Sequence, residues 1–187
     1  MEGKRVFIGL PVDKVLKDAA DLFRIAHGGL TVRWIKPENL HLTLVSPWKC
    51  ENIEPVCAVL KRVADENAAV DVLFDKLSFG PDERRPRLLW ATGKAPKALV
   101  RLQSMLLDAS VLSDEACRPF LLHLTLARFS AKDYHSVPSG RFREPVSWRG
   151  SLDTLSLYES ILKPDGAEYR QLCRFTLSGF KDFSRSY

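Results

Sequence analysis

Cysteine is scarce, with four residues at Cys50, Cys57, Cys117 and Cys173 in a chain of 187. None forms a CxxC pair and none stands beside a histidine at zinc-finger spacing, which argues against a zinc ribbon or a dithiol redox motif. They read as small buried apolar side chains of a protein in a reducing compartment. Long apolar runs are missing too. MEGKRVFIGLP has a basic flank, but its apolar stretch ends at Pro11, too short for a signal-peptide core or a membrane span. The expectation is a cytoplasmic protein with no membrane partner. No linker or low-complexity stretch divides the chain, so residues 1–187 are expected to form a single domain.

What is present is ordinary for a globular protein: 45% apolar and 27% charged residues. The net charge of +5 permits an anionic partner without requiring one.

Strand and helix signals alternate irregularly. Arg5–Leu10 has the apolar run of a central strand, and Val12–Ala26 has helical spacing ended by Gly28-Gly29. Strands are expected at Thr31–Ile35 and Leu40–Val45, with a turn at Lys36–Asn39 between them. Helices follow at Glu51–Ala68 and Lys97–Leu112, enclosing strands at Val70–Phe79 and Arg87–Thr92. Further strands are expected at Leu122–Arg128, around Leu152–Glu159 and around Tyr169–Leu177, with Tyr134–Pro145 as a loop. The order predicts an α+β fold with largely antiparallel sheets.

One string occurs twice. His-Leu-Thr-Leu begins at His41 and again at His123. In a strand the side chains alternate faces, so His41 and Thr43 share one face while Leu42 and Leu44 anchor the other. His123 and Thr125 are placed likewise against Leu124 and Leu126. A lone histidine on a strand is usually a surface or hydrogen-bonded residue. Two copies that a duplicated fold sets side by side would bring two imidazoles and two hydroxyls to one cleft.

That set suits a phosphodiester reaction. A neutral imidazole takes a proton from water, and an imidazolium gives one to the departing sugar oxygen. Threonine hydroxyls can hydrogen-bond the non-bridging phosphate oxygens as charge develops there. Arg128 stands five residues after His123, nominally on the opposite face, so a strand end or twist must bring it round to the phosphate. Two histidines without a carboxylate or cysteine partner make a poor metal site, and no metal or cofactor is expected.

Paired HxTx strings on a chain of this length resemble the 2H phosphoesterase superfamily, and within it the RNA 2′,3′-cyclic phosphodiesterase family, also labelled 2′-5′ RNA ligase. The resemblance runs through VFIGLP (Val6–Pro11), RWIKPENLHLTL (Arg33–Leu44), RPRLLW (Arg85–Trp90), RPFLLHLTLAR (Arg118–Arg128) and SLYESILKPDGAEY (Ser156–Tyr169). It implies a bilobal 2H phosphoesterase-like fold, pseudo-twofold duplicated, with two mainly antiparallel sheets, helices packed outside and a central groove. It also implies metal-independent opening of RNA 2′,3′-cyclic phosphate ends to a 2′-phosphate, with 2′-5′ joining in vitro. On the matching positions, His41 donates the proton, His123 accepts one, and Thr43, Thr125 and Arg128 bind the phosphate. The implied partners are RNA ends, tRNA fragments among them, or nucleoside 2′,3′-cyclic phosphates. A monomer suffices.

Two departures stand out. Ser46-Pro47-Trp48 follows the first motif where the family usually has Phe-Leu-Gly, which transfers a base contact to Trp48. Leu122 precedes the second histidine where the family often has Pro. Trp34, Trp90 and Trp148 read as core or rim residues, and Tyr158 as a groove residue. Arg84, Arg85 and Arg87 could steer RNA or simply keep a charged loop soluble. His27 and His135 read as structural or solvated.

Overall fold

The computed structural model describes residues 3–82, 86–109, 120–129, 142–163 and 166–179. The first segment forms β1 (Lys4–Pro11), α1 (Lys14–Ala26), β2 (Arg33–Trp34), a single 3-10 turn at Pro37–Asn39, and β3 (His41–Cys50). Next come α2 (Ile53–Glu66), β4 (Val70–Gly80), β5 (Leu88–Gly93) and α3 (Lys97–Leu107). The remaining strands are β6 (Leu122–Arg128), β7 (Arg143–Leu152), β8 (Thr154–Lys163) and β9 (Gly166–Thr176).

The strands make two antiparallel sheets, ordered β3-β1-β8-β9 and β2-β6-β5-β4-β7. From the motif strand onward, β3-β1-β8-β9 and β6-β5-β4-β7 have the same plan. In each, a helix joins the motif strand to the neighbour that precedes it, α1 between β1 and β3 and α3 between β5 and β6. The motif strands β3 and β6 are in contact where the two sheets meet. Leu42, Leu44, Leu124 and Leu126 are each 2% exposed or less. Burying such a side chain stabilises the fold by about 2 kcal/mol, so the leucines anchor each motif while its His and Thr remain half-buried.

Helix ends follow their sequence signals. Asp13 caps α1 by accepting from the Leu16 amide at 2.9 Å, and its other oxygen accepts from the Ser151 amide on β7 at 2.7 Å. One carboxylate thus starts the helix and ties it to the second sheet. Asn52 caps α2 through the Glu54 amide.

Three sequence expectations need correction. The expected loop Tyr134–Pro145 runs into a strand, since Arg143, Glu144 and Pro145 open β7; residues 134–141 lie outside the described ones. The reason is position: among the described residues β7 pairs only with β4, and an edge strand tolerates both a proline and a largely polar face. The strand expected over Thr31–Ile35 contracts to the two residues of β2, and the first motif strand extends to Cys50. The cysteines do not all behave as isolated apolar residues. Cys57 on α2 is disulfide-bonded to Cys173 on β9, with 6.5 Å between their Cα atoms. A separation of 116 residues carries no spacing signal for such a pair. Cys50 is free and buried, and Cys117 lies outside the described residues.

Candidate active site

The backbone between the motif and its neighbour determines which side chains reach the groove. In β3, Gly9 of β1 pairs with Thr43 while Ile8 pairs with Val45, so Leu44 is an extra residue. In β6, Trp90 of β5 pairs with Thr125 while Leu89 pairs with Ala127, so Leu126 is extra. The same one-residue bulge therefore falls on the fourth residue of both motifs. A bulge reverses the alternation beyond it. That is how Arg128 arrives on the face of His123 and Thr125: Leu126 and Ala127 are both buried, and Arg128 lines the groove. Ser46 holds the equivalent place in β3. Gly9 makes room for this geometry, because a Cβ there would lie 2.7 Å from the Leu42 carbonyl oxygen.

Trp48 is corrected by the same reasoning. Three residues of β3, from Val45 to Trp48, span the two from Ile8 to Val6 in β1, a second irregularity. It leaves Ser46 and Pro47 exposed and turns the Trp48 ring into the hydrophobic core, 9% exposed. A ring buried there offers no face to a base. Pro47, not Trp48, lines the groove.

The two histidines are held alike. His41 Nδ1 lies 2.7 Å from the Asn39 carbonyl oxygen, and His123 Nδ1 lies 3.0 Å from that of Leu121. A carbonyl oxygen only accepts, so each Nδ1 carries the proton and donates it two residues back along the chain. Nε2 of each ring is left as the nitrogen available for proton exchange.

Their surroundings differ. The His41 ring centroid is 4.8 Å from Phe7, 5.1 Å from Tyr169 and 5.9 Å from Tyr158. Phe7 and Tyr158 are themselves stacked, and burial raises the pKa of the Tyr158 phenol despite its hydrogen bonds to Ser156 and Gln171. Tyr158 thus backs the groove rather than lining it. This apolar surround pushes the His41 pKa down to about 4, chiefly by desolvation; the Asn39 carbonyl opposes the shift, and the positive charges of Arg128 and His123 reinforce it. The influence of His123 and Arg128 on His41 puts the three within electrostatic range across the contact of β3 with β6. Among the described residues His123 has one aromatic neighbour, Trp90 at 5.3 Å, whose indole N–H donates to the Ser78 hydroxyl.

A cavity of about 420 Å³ opens in front of His41 and Thr43 and is walled by Arg128 together with Arg5, Arg33, Lys163 and Tyr169. His123 and Thr125 are not among its walls; they stand on β6 beside it. Arg5, Arg33, Lys163 and Tyr169 are among the lining residues that sequence reasoning did not place in the site. Arg5 donates to the Ser160 hydroxyl at 2.7 Å, and Arg33 pairs in register with Arg128. Lys163 and Tyr169 come from the β8–β9 hairpin. Only the segments that carry the resemblance, which contain Arg33, Lys163 and Tyr169, offered a signal for them. Arg87 precedes β5, while Arg84, Arg85 and His135 lie outside the described residues. His27 closes α1, with its ring stacked on Phe23 and its Nδ1–H donating to the Phe23 carbonyl, which is structural as expected. Among the described residues no three His, Cys, Asp or Glu side chains converge as a metal site.

The profile of the 2′-5′ RNA ligase superfamily matches residues 24–162, which include both histidine motifs. A protein of Aquifex aeolicus named RNA 2′,3′-cyclic phosphodiesterase is 20% identical over 188 residues, covering 96% of this chain and all of its own. A Bacillus subtilis protein of the same name is 29% identical over 131 residues, covering 65% of this chain and 69% of its own. Among solved structures, a Thermus thermophilus protein superposes with a TM-score of 0.79 at 24% identity, covering 94% of this chain and 98% of its own. Escherichia coli LigT complexed with 3′-AMP superposes with a TM-score of 0.70 at 23% identity, covering 94% and 99%. The duplicated sheets, the matched bulges and the profile spanning both motifs agree: the chain belongs to the 2′-5′ RNA ligase superfamily, with the fold of LigT-like 2H phosphoesterases.

Proposed function

We propose that this protein is a metal-independent RNA 2′,3′-cyclic phosphodiesterase, acting as a monomer of one bilobal domain. The observation that carries the reading is the matched pair of imidazoles, each with Nδ1–H tied to a carbonyl and Nε2 left for proton exchange, on two strands in contact. In this reading water attacks the phosphorus while His123 takes its proton at Nε2. The P–O3′ bond breaks, His41 protonates the departing O3′, and a 2′-phosphomonoester remains. The Thr43 and Thr125 hydroxyls donate to the non-bridging oxygens, and the Arg128 guanidinium balances their charge. Attack by a 5′-hydroxyl in place of water, with the P–O3′ bond breaking as before and His41 protonating O3′, would account for 2′-5′ ligation in vitro by the same chemistry.

The free protein holds His41 neutral at pH 7. To donate, this ring must gain a proton as the anionic cyclic phosphate enters, a negative charge that opposes those of Arg128 and His123. A substrate with sulfur in place of O3′ tests the assignment, because a thiolate leaves without protonation. It rescues the donor variant and not the acceptor variant.

The deciding experiment is incubation of a short RNA ending in 2′,3′-cyclic phosphate, with the product isomer identified. A 2′-phosphate formed in the presence of EDTA is expected. Binding without turnover would instead make the groove a non-catalytic RNA-end site, and activity unchanged in both His41→Ala and His123→Ala would remove the two-histidine mechanism.

A further inference from the structure

A second cavity, of about 490 Å³, continues from the first. The two share Arg33, Arg128, Lys163 and Tyr169, so they are one groove with two chambers. The second chamber adds Trp34, Lys36, Glu38 and Asn39, on β2 and the turn before β3. Asn39 is the residue whose carbonyl orients His41, so the chamber abuts the reacting end directly.

Its chemistry is that of a groove for a polyanionic strand. Four cationic side chains, Arg33, Lys36, Arg128 and Lys163, face two carboxylates, Glu38 and Glu168, of which Glu168 is paired with Lys163. The half-buried Trp34 ring supplies an aromatic surface among them. Cations that follow a backbone, interleaved with aromatic faces, are what single-stranded nucleic acid needs and what a lone cyclic nucleotide leaves unused. The hairpin is shaped to leave space for one of these cations. Gly166 has φ +135°, and a Cβ there would lie 3.1 Å from the guanidinium carbon of Arg33. The glycine lets that guanidinium lie close against the chain at the junction of the chambers.

Building on the reading of the first chamber as the site of an RNA end, we propose that the second chamber is a subsite for the nucleotide immediately 5′ of the reacting one. Arg33 lies under the phosphodiester that joins the two nucleotides, Trp34 stacks the upstream base, and Lys36 stands at the far rim. The preferred substrate is therefore an oligonucleotide of at least two residues, not a nucleoside 2′,3′-cyclic phosphate.

Calorimetric binding of a dinucleotide and a mononucleotide, both ending in 2′-phosphate, tests this at several salt concentrations. The dinucleotide is expected to bind roughly tenfold more tightly, as one stacked base and one phosphate contact imply, with a salt slope steeper by about 0.7. Lys36→Ala, at an exposed position, and Trp34→Leu should each reduce the ratio of the two affinities. Equal affinities in the unaltered protein, or variants that weaken both ligands equally, would overturn the subsite. Turnover of the corresponding cyclic phosphates is read separately. A preserved ratio with neither substrate opened leaves the subsite standing and removes the catalytic reading; both opened with a ratio of one does the reverse.

Discussion

The strands β3 and β6 share four residues, a bulge and the tether on each Nδ1, yet their histidines keep different company. His41 sits among Phe7, Tyr158 and Tyr169, whereas among the described residues His123 has Trp90 alone. At the position where β6 brings in Arg128, β3 has Ser46. Duplication thus supplies two equivalent imidazoles, and the neighbouring strands make them unequal. For the proposed mechanism the difference matters: two interchangeable groups would be a poor acid–base pair, since one must hold a proton while the other lacks it.

The comparison breaks most sharply at the histidines. His41→Ala and His123→Ala are each expected to lower kcat by roughly a hundredfold to ten-thousandfold with the fold intact, checked by turnover beside circular dichroism. The double variant should be little worse than either single one, because the two act as a unit. A single variant that kept near-normal turnover would show that only one strand is catalytic.

The unequal surroundings should also appear in stability. His41 binds its proton more weakly in the folded chain, with a pKa of about 4, than at its ordinary value of 6.5. Between these values the unfolded chain holds more protons, so stability rises with pH across that window. Acidification from pH 6.5 to 4 therefore removes up to about 3 kcal/mol through this residue. Urea unfolding across that range should show the loss, and a His41→Asn variant should lack its share of the slope.

Smaller effects sharpen the pairing. Thr43→Val and Thr125→Val keep the shape and remove one donor to a charged oxygen. Each should lower kcat roughly tenfold to a hundredfold, and a large difference between them would show which strand bears the phosphate. The mildest change makes β6 resemble β3. Arg128→Ser removes a charge that depresses His41, so the His41 pKa, followed by NMR titration, should move upward.

The motif pair and the sheets were legible because strand alternation is local: His41, Thr43, His123 and Thr125 follow from parity alone. Arg128 and Trp48 did not yield to parity, because a bulge changes the phase within a strand. A cue was present, in the adjacent apolar pairs Leu44-Val45 and Leu126-Ala127, where alternation would set only one apolar residue. Arg5, Lys163 and Tyr169 reach the groove through pairing of β1 with β8 and β8 with β9, contacts between residues about 155 positions apart in the case of Arg5 and Ser160. No local pattern encodes such a meeting.

The sulfur bridge from α2 to β9 also makes the intervening polypeptide a closed ring. A single protease nick anywhere between Cys57 and Cys173 would leave one covalent particle, and its two pieces would migrate together on a gel until a thiol reagent freed them.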